Sequence, residues 1–202
     1  MAMDTNCIAY RIVDTPIAQF VAGATIKGCC VFEFADRGGM EKIKVRVLKR
    51  YRMEMIENDS PIIDTMIAQV NEYFTGKRKE FALPFDLKGT RFELAVWDQL
   101  LKIPYGETRS YGQLAAILGK PGASRAVGRA NGANYVSVIV PCHRVIEADG
   151  SLRGYGGGLW RKKYLLDLER KYAGVPAGDL FSDRSTDHLR RSEPVVVPGN
   201  VC

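Results

Sequence analysis

The sequence predicts an α+β protein in which a sheet precedes a set of helices, and three observations carry that expectation. Residues 8 to 35 alternate short β-prone runs with turn-formers, the pattern of a strand meander. Two capping patterns, Thr90-x-x-Glu93 and Ser110-x-x-Gln113, stand before helical stretches later in the chain. The charge balance changes near residue 88, where the first of those helices is about to begin. We therefore divide the chain into an N-terminal α/β domain (1–88), a C-terminal domain (89–173) and a tail (174–202).

The first runs are IAYRIV, IAQFVAGA and GCCVFEFA, separated by Asp14, Thr15, Pro16 and Gly28. Residues 41 to 50 read as a short helix, and RMEMIEN alternates as a strand does. Ser60-Pro61 then sets a capping hydroxyl before a proline at the first helical position, opening PIIDTMIAQVNEYF, which ends near Gly76. FALPFDLKG is a proline-broken extended connector, and Thr90 opens the helix through FELAVWDQLLKI. Ser110 opens YGQLAAIL, the turn GKPG follows, and ASRAVGRANGA forms another short helix. Two short helices joined by a glycine-containing turn match a helix-turn-helix, a pattern that a helical hairpin packed in a core shares. VSVIV reads as a buried strand closed by Pro141, EADGSLRGYGGG as a hairpin and glycine loop, and LWRKKYLLDLERKY as the closing helix. From Ala173 on, the chain is polar and Pro/Gly-rich without a period and reads as a disordered tail.

Composition narrows the function. With 46% hydrophobic and 26% charged residues the chain resembles ordinary globular proteins. No stretch approaches the roughly 18 uncharged apolar residues of a membrane helix. The N-terminus shows no secretory pattern, so a cytoplasmic location and no membrane partner are expected. Five cysteines at irregular spacing argue for reduced thiols rather than a disulfide framework. With no Cys-x-x-Cys and only His143 and His188 as histidines, no metal is expected. The net charge of +6 sits in residues 91–172, which hold 13 basic against 7 acidic residues, a footprint suited to a polyanion such as DNA. The helix around Arg125 and Arg129 is otherwise made of small residues, Ala123, Ala126, Gly128 and Ala130. Such a face permits close approach to a groove, with arginines free to meet phosphates or fill the space a displaced base leaves.

Cys142, His143 and Arg144 arrive together after Pro141. A thiol of ordinary pKa is mostly protonated at neutral pH, and a neighbouring base or positive charge lowers that value. His143 and Arg144 supply one of each. Adjacent side chains of a strand face opposite ways, so His143 assists Cys142 only if PCHR bends helically or a water connects them. A base needs a group to orient it, and Asp167 and Glu169 on the last helix are both available.

IVPCHRVI, with SYGQLA and SRAVGRANGAN before it and GYGGG and LLDLE after it, resembles the O6-alkylguanine-DNA alkyltransferases, also called methylated-DNA–protein-cysteine methyltransferases. The likeness runs from about Thr90 to Ala173 and is specific, while the N-terminal part is similar only in strand order and connectors. The resemblance implies a ribonuclease-H-like sheet domain followed by a helical domain with a winged helix-turn-helix-like element that enters the minor groove. It makes Cys142 the alkyl acceptor, His143 the base acting through a water, and Glu169 the carboxylate that orients the histidine. Asn134 becomes the tie between recognition helix and active-site strand, and Tyr111 the tyrosine near the rotated base. Arg125 takes the place of the extruded nucleotide, with Ala123, Ser124, Ala126 and Gly128 against DNA. Tyr155, Gly156 and Val145 line the guanine pocket. The implied reaction is a single-turnover transfer from O6-methylguanine, and possible O4-methylthymine, in double-stranded DNA, by a monomer. It needs no cofactor, because the lesion carries the methyl group.

Gly156 departs from the family, which often has serine there, so one donor to the O6 atom is expected to be missing or replaced by a backbone amide. Arg129 stands where smaller residues are frequent, and either contacts a phosphate or points to solvent. Two other classes compete. Alkyltransferase-like lesion sensors lack the motif cysteine, which Cys142 argues against. A cysteine hydrolase needs an oxyanion hole and has no use for an arginine helix.

Overall fold

A computed structural model describes residues 6–174. The expected tail lies outside the described residues, apart from Gly174, and so does His188. The meander is present as β1 (Cys7–Thr15), β2 (Ala18–Thr25) and β3 (Gly28–Phe34), paired antiparallel. α1 (Met40–Tyr51) crosses to β4 (Glu54–Glu57), which lies parallel to β1 and gives the order β3-β2-β1-β4.

Both faces of this sheet are covered, which explains why β2 and β3 are apolar almost throughout rather than alternating. Ile8, Tyr10, Val21 and Val31 face Ile43, Val47 and Tyr51 of α1. Ala9, Phe20, Ala22 and Phe32 face the other way, toward Ile63, Met66, Val70 and Tyr73 of α2 (Pro61–Phe74) and the helices of the second half. The FALPFDLKG connector runs beside β3, where Cys29 N–H donates to the Pro84 carbonyl at 2.8 Å. Gly28 allows that approach, since a Cβ there would lie 2.5 Å from the Pro84 oxygen.

α3 (Arg91–Leu101) begins at Thr90 and α4 (Tyr111–Ile117) at Ser110, each with both bonds of its capping box formed. α5 (Ser124–Gly132) packs on α3, where the Trp97 indole donates to the Ala130 carbonyl at 2.8 Å. α6 (Leu159–Ala173) closes the described chain.

Three local expectations fail, the first two because side chains take the backbone bonds. Residues 136–140 are buried but are not a strand: only Phe32↔Val136 bridges, and Val138 turns through φ +70°. The Asn134 side chain has captured that backbone, accepting from Val136 N–H at 2.9 Å and donating to the Val140 carbonyl at 2.9 Å. β6 (Val145–Ile146) pairs in parallel with β5 (Arg109–Ser110), and the hairpin expected over 147–158 is only a tight turn at 147–151, with the Arg153 carbonyl taken by the Lys162 ammonium and the Tyr111 hydroxyl rather than by a paired strand. Ser60 sits at the N-cap of α2 but its hydroxyl is buried without a hydrogen-bond partner, and Pro61 leaves one amide fewer to cap. Among the described residues no helix is long and apolar enough to cross a membrane.

Candidate active site

Pro141 ends the irregular segment, and Cys142–Arg144 form a single 3-10 turn, the bend that lets His143 and Cys142 serve one site. Asn131, on the last turn of α5, donates its amide to the Cys142 carbonyl at 3.2 Å. Asn134, two residues beyond α5, holds residues 136–140 as described. Cys142 is therefore held from the α5 side by two asparagines.

Cys142 is buried, and burial pushes its thiol above the ordinary value, against the opposing influence of the Asn134 amide and the Lys162 and Arg37 charges. This corrects the expectation that His143 and Arg144 lower it. Arg144 is committed elsewhere, with Nε 2.9 Å from Glu169 Oε2, its second terminal nitrogen 2.9 Å from Oε1 and the other 2.6 Å from the Ile103 carbonyl. Burial therefore favours the protonated thiol.

His143 is fully buried, with Nε2 2.8 Å from Glu169 Oε1. Burial lowers its pKa, and the Arg144 and Lys162 charges add to that, against the pull of Glu169. Burial opposes ionisation of Glu169 too, but the His143 contact and the Arg144 guanidinium bring it down to about 2. An ionised carboxylate only accepts, so the neutral imidazole carries its proton on Nε2 and its lone pair on Nδ1, which has no hydrogen-bond partner among the described residues. Glu169 is thus the orienting carboxylate. Asp167 pairs with Lys163 at 2.8 Å on the surface of α6.

The remaining expected residues fall into two groups. Tyr111 is buried beside the thiol, its hydroxyl 3.4 Å from the Arg153 carbonyl, and burial with the Glu147 and Cys142 charges pushes its pKa to about 12. Tyr155 stacks edge-on against Phe34, with its hydroxyl buried and unpaired. Val145 is buried, and a Cβ on Gly156 would lie 2.6 Å from the Arg37 guanidinium carbon, so a serine here requires Arg37 to move. On α5 and its N-cap, Ala123, Ser124, Ala126 and Gly128 are half-buried while Arg125 and Arg129 are exposed, one turn apart. Val127 and Ala130 face inward and anchor the helix.

Three residues at the site escaped the sequence reading, Asn131 beside the thiol being the first. Lys162 is fully buried on α6, donating to the Val145 carbonyl at 2.6 Å and the Arg153 carbonyl at 2.8 Å, and burial brings its ammonium down to about 8. The period that turns Leu165 and Leu166 inward also turns Lys162 and Glu169 inward, and two charges on an apolar face were the available signal. Tyr73 of α2 donates to Glu169 Oε1 at 2.8 Å, and nothing in the sequence separates it from the other core positions of its helix. No group of three or more His, Cys, Asp or Glu side chains that could hold a metal occurs among the described residues.

Comparison with known proteins places this geometry in context. A family model described as the DNA binding domain of 6-O-methylguanine DNA methyltransferase matches residues 91–171. A methylated-DNA–protein-cysteine methyltransferase of Mycobacterium bovis is 58% identical over 107 residues, 53% of this chain, and the chain spans 65% of that relative's length. One from Mycolicibacterium paratuberculosis is 55% identical over 166 residues, covering 82% of this chain and 94% of the relative. A crystal structure of the Mycobacterium tuberculosis protein OGT in complex with DNA superposes with a TM-score of 0.70 at 41% identity, over 81% of this chain and 94% of that one. With identity above half extending through both the sheet and the helices of a relative matched almost end to end, the chain belongs to the methylated-DNA–protein-cysteine methyltransferase family.

Proposed function

We propose that the protein repairs O6-alkylguanine in double-stranded DNA by moving the alkyl group irreversibly onto Cys142, each molecule acting once. The observation that carries this reading is a buried thiol beside a neutral histidine whose ring is oriented by an ionised carboxylate. That is what a nucleophile needs when it must stay protonated until its substrate arrives.

The O6 substituent is hidden inside a duplex, so the base has to leave the stack at a cost of a few kcal/mol. The small residues of α5 (Ala123, Ser124, Ala126, Gly128) let the helix enter the minor groove, and Arg125 fills the space left behind. The flipped guanine lies among Tyr111, Tyr155, Gly156 and Val145. His143 takes the thiol proton on Nδ1, directly or through a water, and the thiolate attacks the alkyl carbon in line. The S–C bond forms as the C–O6 bond breaks, and the guanine anion is stabilised by a hydrogen bond from Tyr111, whose raised pKa keeps it a donor. The proton left on His143 balances the one that guanine regains. The product is a thioether with no labile bond, and the lesion itself supplies the alkyl group, so no cofactor takes part. The reduced thiols Cys7, Cys29, Cys30 and Cys142 are consistent with work in the cytoplasm.

The test is the intact mass of the protein after incubation with excess duplex carrying one O6-methylguanine, followed by peptide mapping. A gain of one methylene on the peptide holding Cys142 is expected. An unchanged mass would overturn the proposal.

A further inference from the structure

Glu169 has more partners than orienting one histidine requires. Oε1 accepts from His143 Nε2 at 2.8 Å and from Arg144, and Oε2 accepts from Arg144 Nε and from Gly106 N–H at 3.1 Å. The last donor comes from the other half of the chain: the Tyr73 hydroxyl, on α2, lies 2.8 Å from the same Oε1 that holds His143. Its ring is fully buried among Phe74, Phe81 and Tyr105, so the hydroxyl is aimed by packing rather than by chance rotation. Facing an ionised carboxylate it can only donate.

We propose that Tyr73 is a positioning residue for alkyl transfer, its hydroxyl fixing Glu169 and sharing Oε1 with His143, so that the N-terminal sheet layer sets how readily His143 accepts the thiol proton. This rests on the reading of Cys142 and His143 given above. Each donor on an oxygen takes a share of its charge, and the Tyr73 hydroxyl joins His143 and Arg144 on Oε1. With Tyr73 present, Oε1 stabilises an imidazolium less than it would alone, which favours the neutral base that the reaction needs.

The other charged or titratable groups around His143 are Glu169 and Lys162 from α6, Arg144 and Cys142 from its own turn, and Tyr105 from the segment before β5, with Tyr172 beyond it. Lys162, Cys142, Tyr73 and Tyr105 titrate above neutrality, and Glu169 far below it. The acid limb of the transfer rate therefore reports His143.

The experiment measures single-turnover transfer from free O6-benzylguanine across pH, a substrate that leaves DNA binding out of the profile. Tyr73→Phe keeps the ring and removes the oxygen. Its acid limb is expected roughly one pH unit above that of the unmodified protein, the tenfold change in His143 proton affinity that one charge-assisted hydrogen bond supplies, with the rate lowered by up to about tenfold on the limb itself and recovering toward the unmodified rate at alkaline pH. Phe81→Leu disturbs the same aromatic cluster without touching the hydroxyl, and should lower the melting temperature while leaving the limb in place. An unshifted limb in Tyr73→Phe, or an equal shift in Phe81→Leu, would overturn the inference while leaving the transfer reaction standing. Unmodified protein that accepts no alkyl group would sink the functional reading, and this one with it. Should Tyr73→Phe fail to fold, proton NMR of the unmodified protein decides: a slowly exchanging Tyr73 hydroxyl with cross-peaks to Glu169 and His143 is expected, and its absence would refute the contact.

Discussion

Removing Cys142 removes the proposed acceptor but little else, because its neighbours are held by their own bonds: His143 by Glu169, and residues 136–140 by Asn134. Cys142→Ala is expected to abolish transfer while duplex affinity stays within about twofold, measured by fluorescence anisotropy, on the small surface role of a buried thiol. Loss of binding as well would make the cysteine structural. Glu169→Gln is different, since it strands the buried Arg144 guanidinium and should cost about 3 to 5 kcal/mol in urea unfolding at pH 7. The pH dependence has a definite sign. His143 and Glu169 both have folded values below their ordinary ones, so the unfolded chain binds the extra protons in acid. The stability that these two groups contribute is whole above pH 6.5, falls first as unfolded His143 protonates, and falls again between about 4.5 and 2 as Glu169 does. The Gln variant should lack the second fall. Cys142 and His143 were legible because their chemistry survives as a motif. The choice of Glu169 over Asp167 came from the resemblance alone, the helical period of 162, 165, 166 and 169 being the signal that went unread, and Tyr73 was not legible, since its contact is to a residue 96 positions away in sequence.

Elements were read well wherever local signals decide them. Thr90 and Ser110 cap α3 and α4 because capping boxes involve only four residues, and the apolar faces of α1 and α2 are set by their own period. The segment 136–140 failed because its composition suits a strand while Asn134, outside the run, takes its backbone bonds. The expected hairpin over 147–158 closes only a tight turn, because the Arg153 carbonyl is taken by the Tyr111 and Lys162 side chains of α4 and α6. For α5 the sequence and the structure agree on which side is free: Val127 and Ala130 anchor it, and Arg125 projects outward. Arg125→Ala should therefore leave the melting temperature near that of the unmodified protein. Repair of duplex O6-methylguanine should fall by roughly a hundredfold, the few kcal/mol at stake in extruding a base. Transfer from free O6-benzylguanine should hardly change. Equal losses on both substrates would remove Arg125 from base extrusion.

At the scale of the molecule, one apolar cluster runs across residue 88, joining Phe20, Phe32 and Met66 to Trp97, Val136 and Leu165, so the sheet is packed directly against the layer that holds the thiol. Sequence patterning identifies which faces are apolar but not that these two meet, because neither half contains the information for the other. Charge behaves in the opposite way, since its distribution is legible from sequence and its effect is long-ranged. Residues 91–172 carry the chain's surplus, 13 basic against 7 acidic, while the first 90 residues are nearly balanced at 13 against 12. Several of those basic residues are committed internally: Arg144 to Glu169, Lys162 to two carbonyls, and Arg161 to Asp36. Arg125, Arg129 and Lys120 are exposed in and just before α5, so about three or four phosphate contacts are expected rather than the full count. Counterion release then predicts a slope of roughly −3 in log affinity against log salt, or a loss of tenfold to a hundredfold between 50 and 200 mM NaCl. Anisotropy titrations on an undamaged duplex measure this directly. A flat response would exclude that basic surface from the interface, and a slope near −10 would require DNA to reach the basic residues of α1 as well.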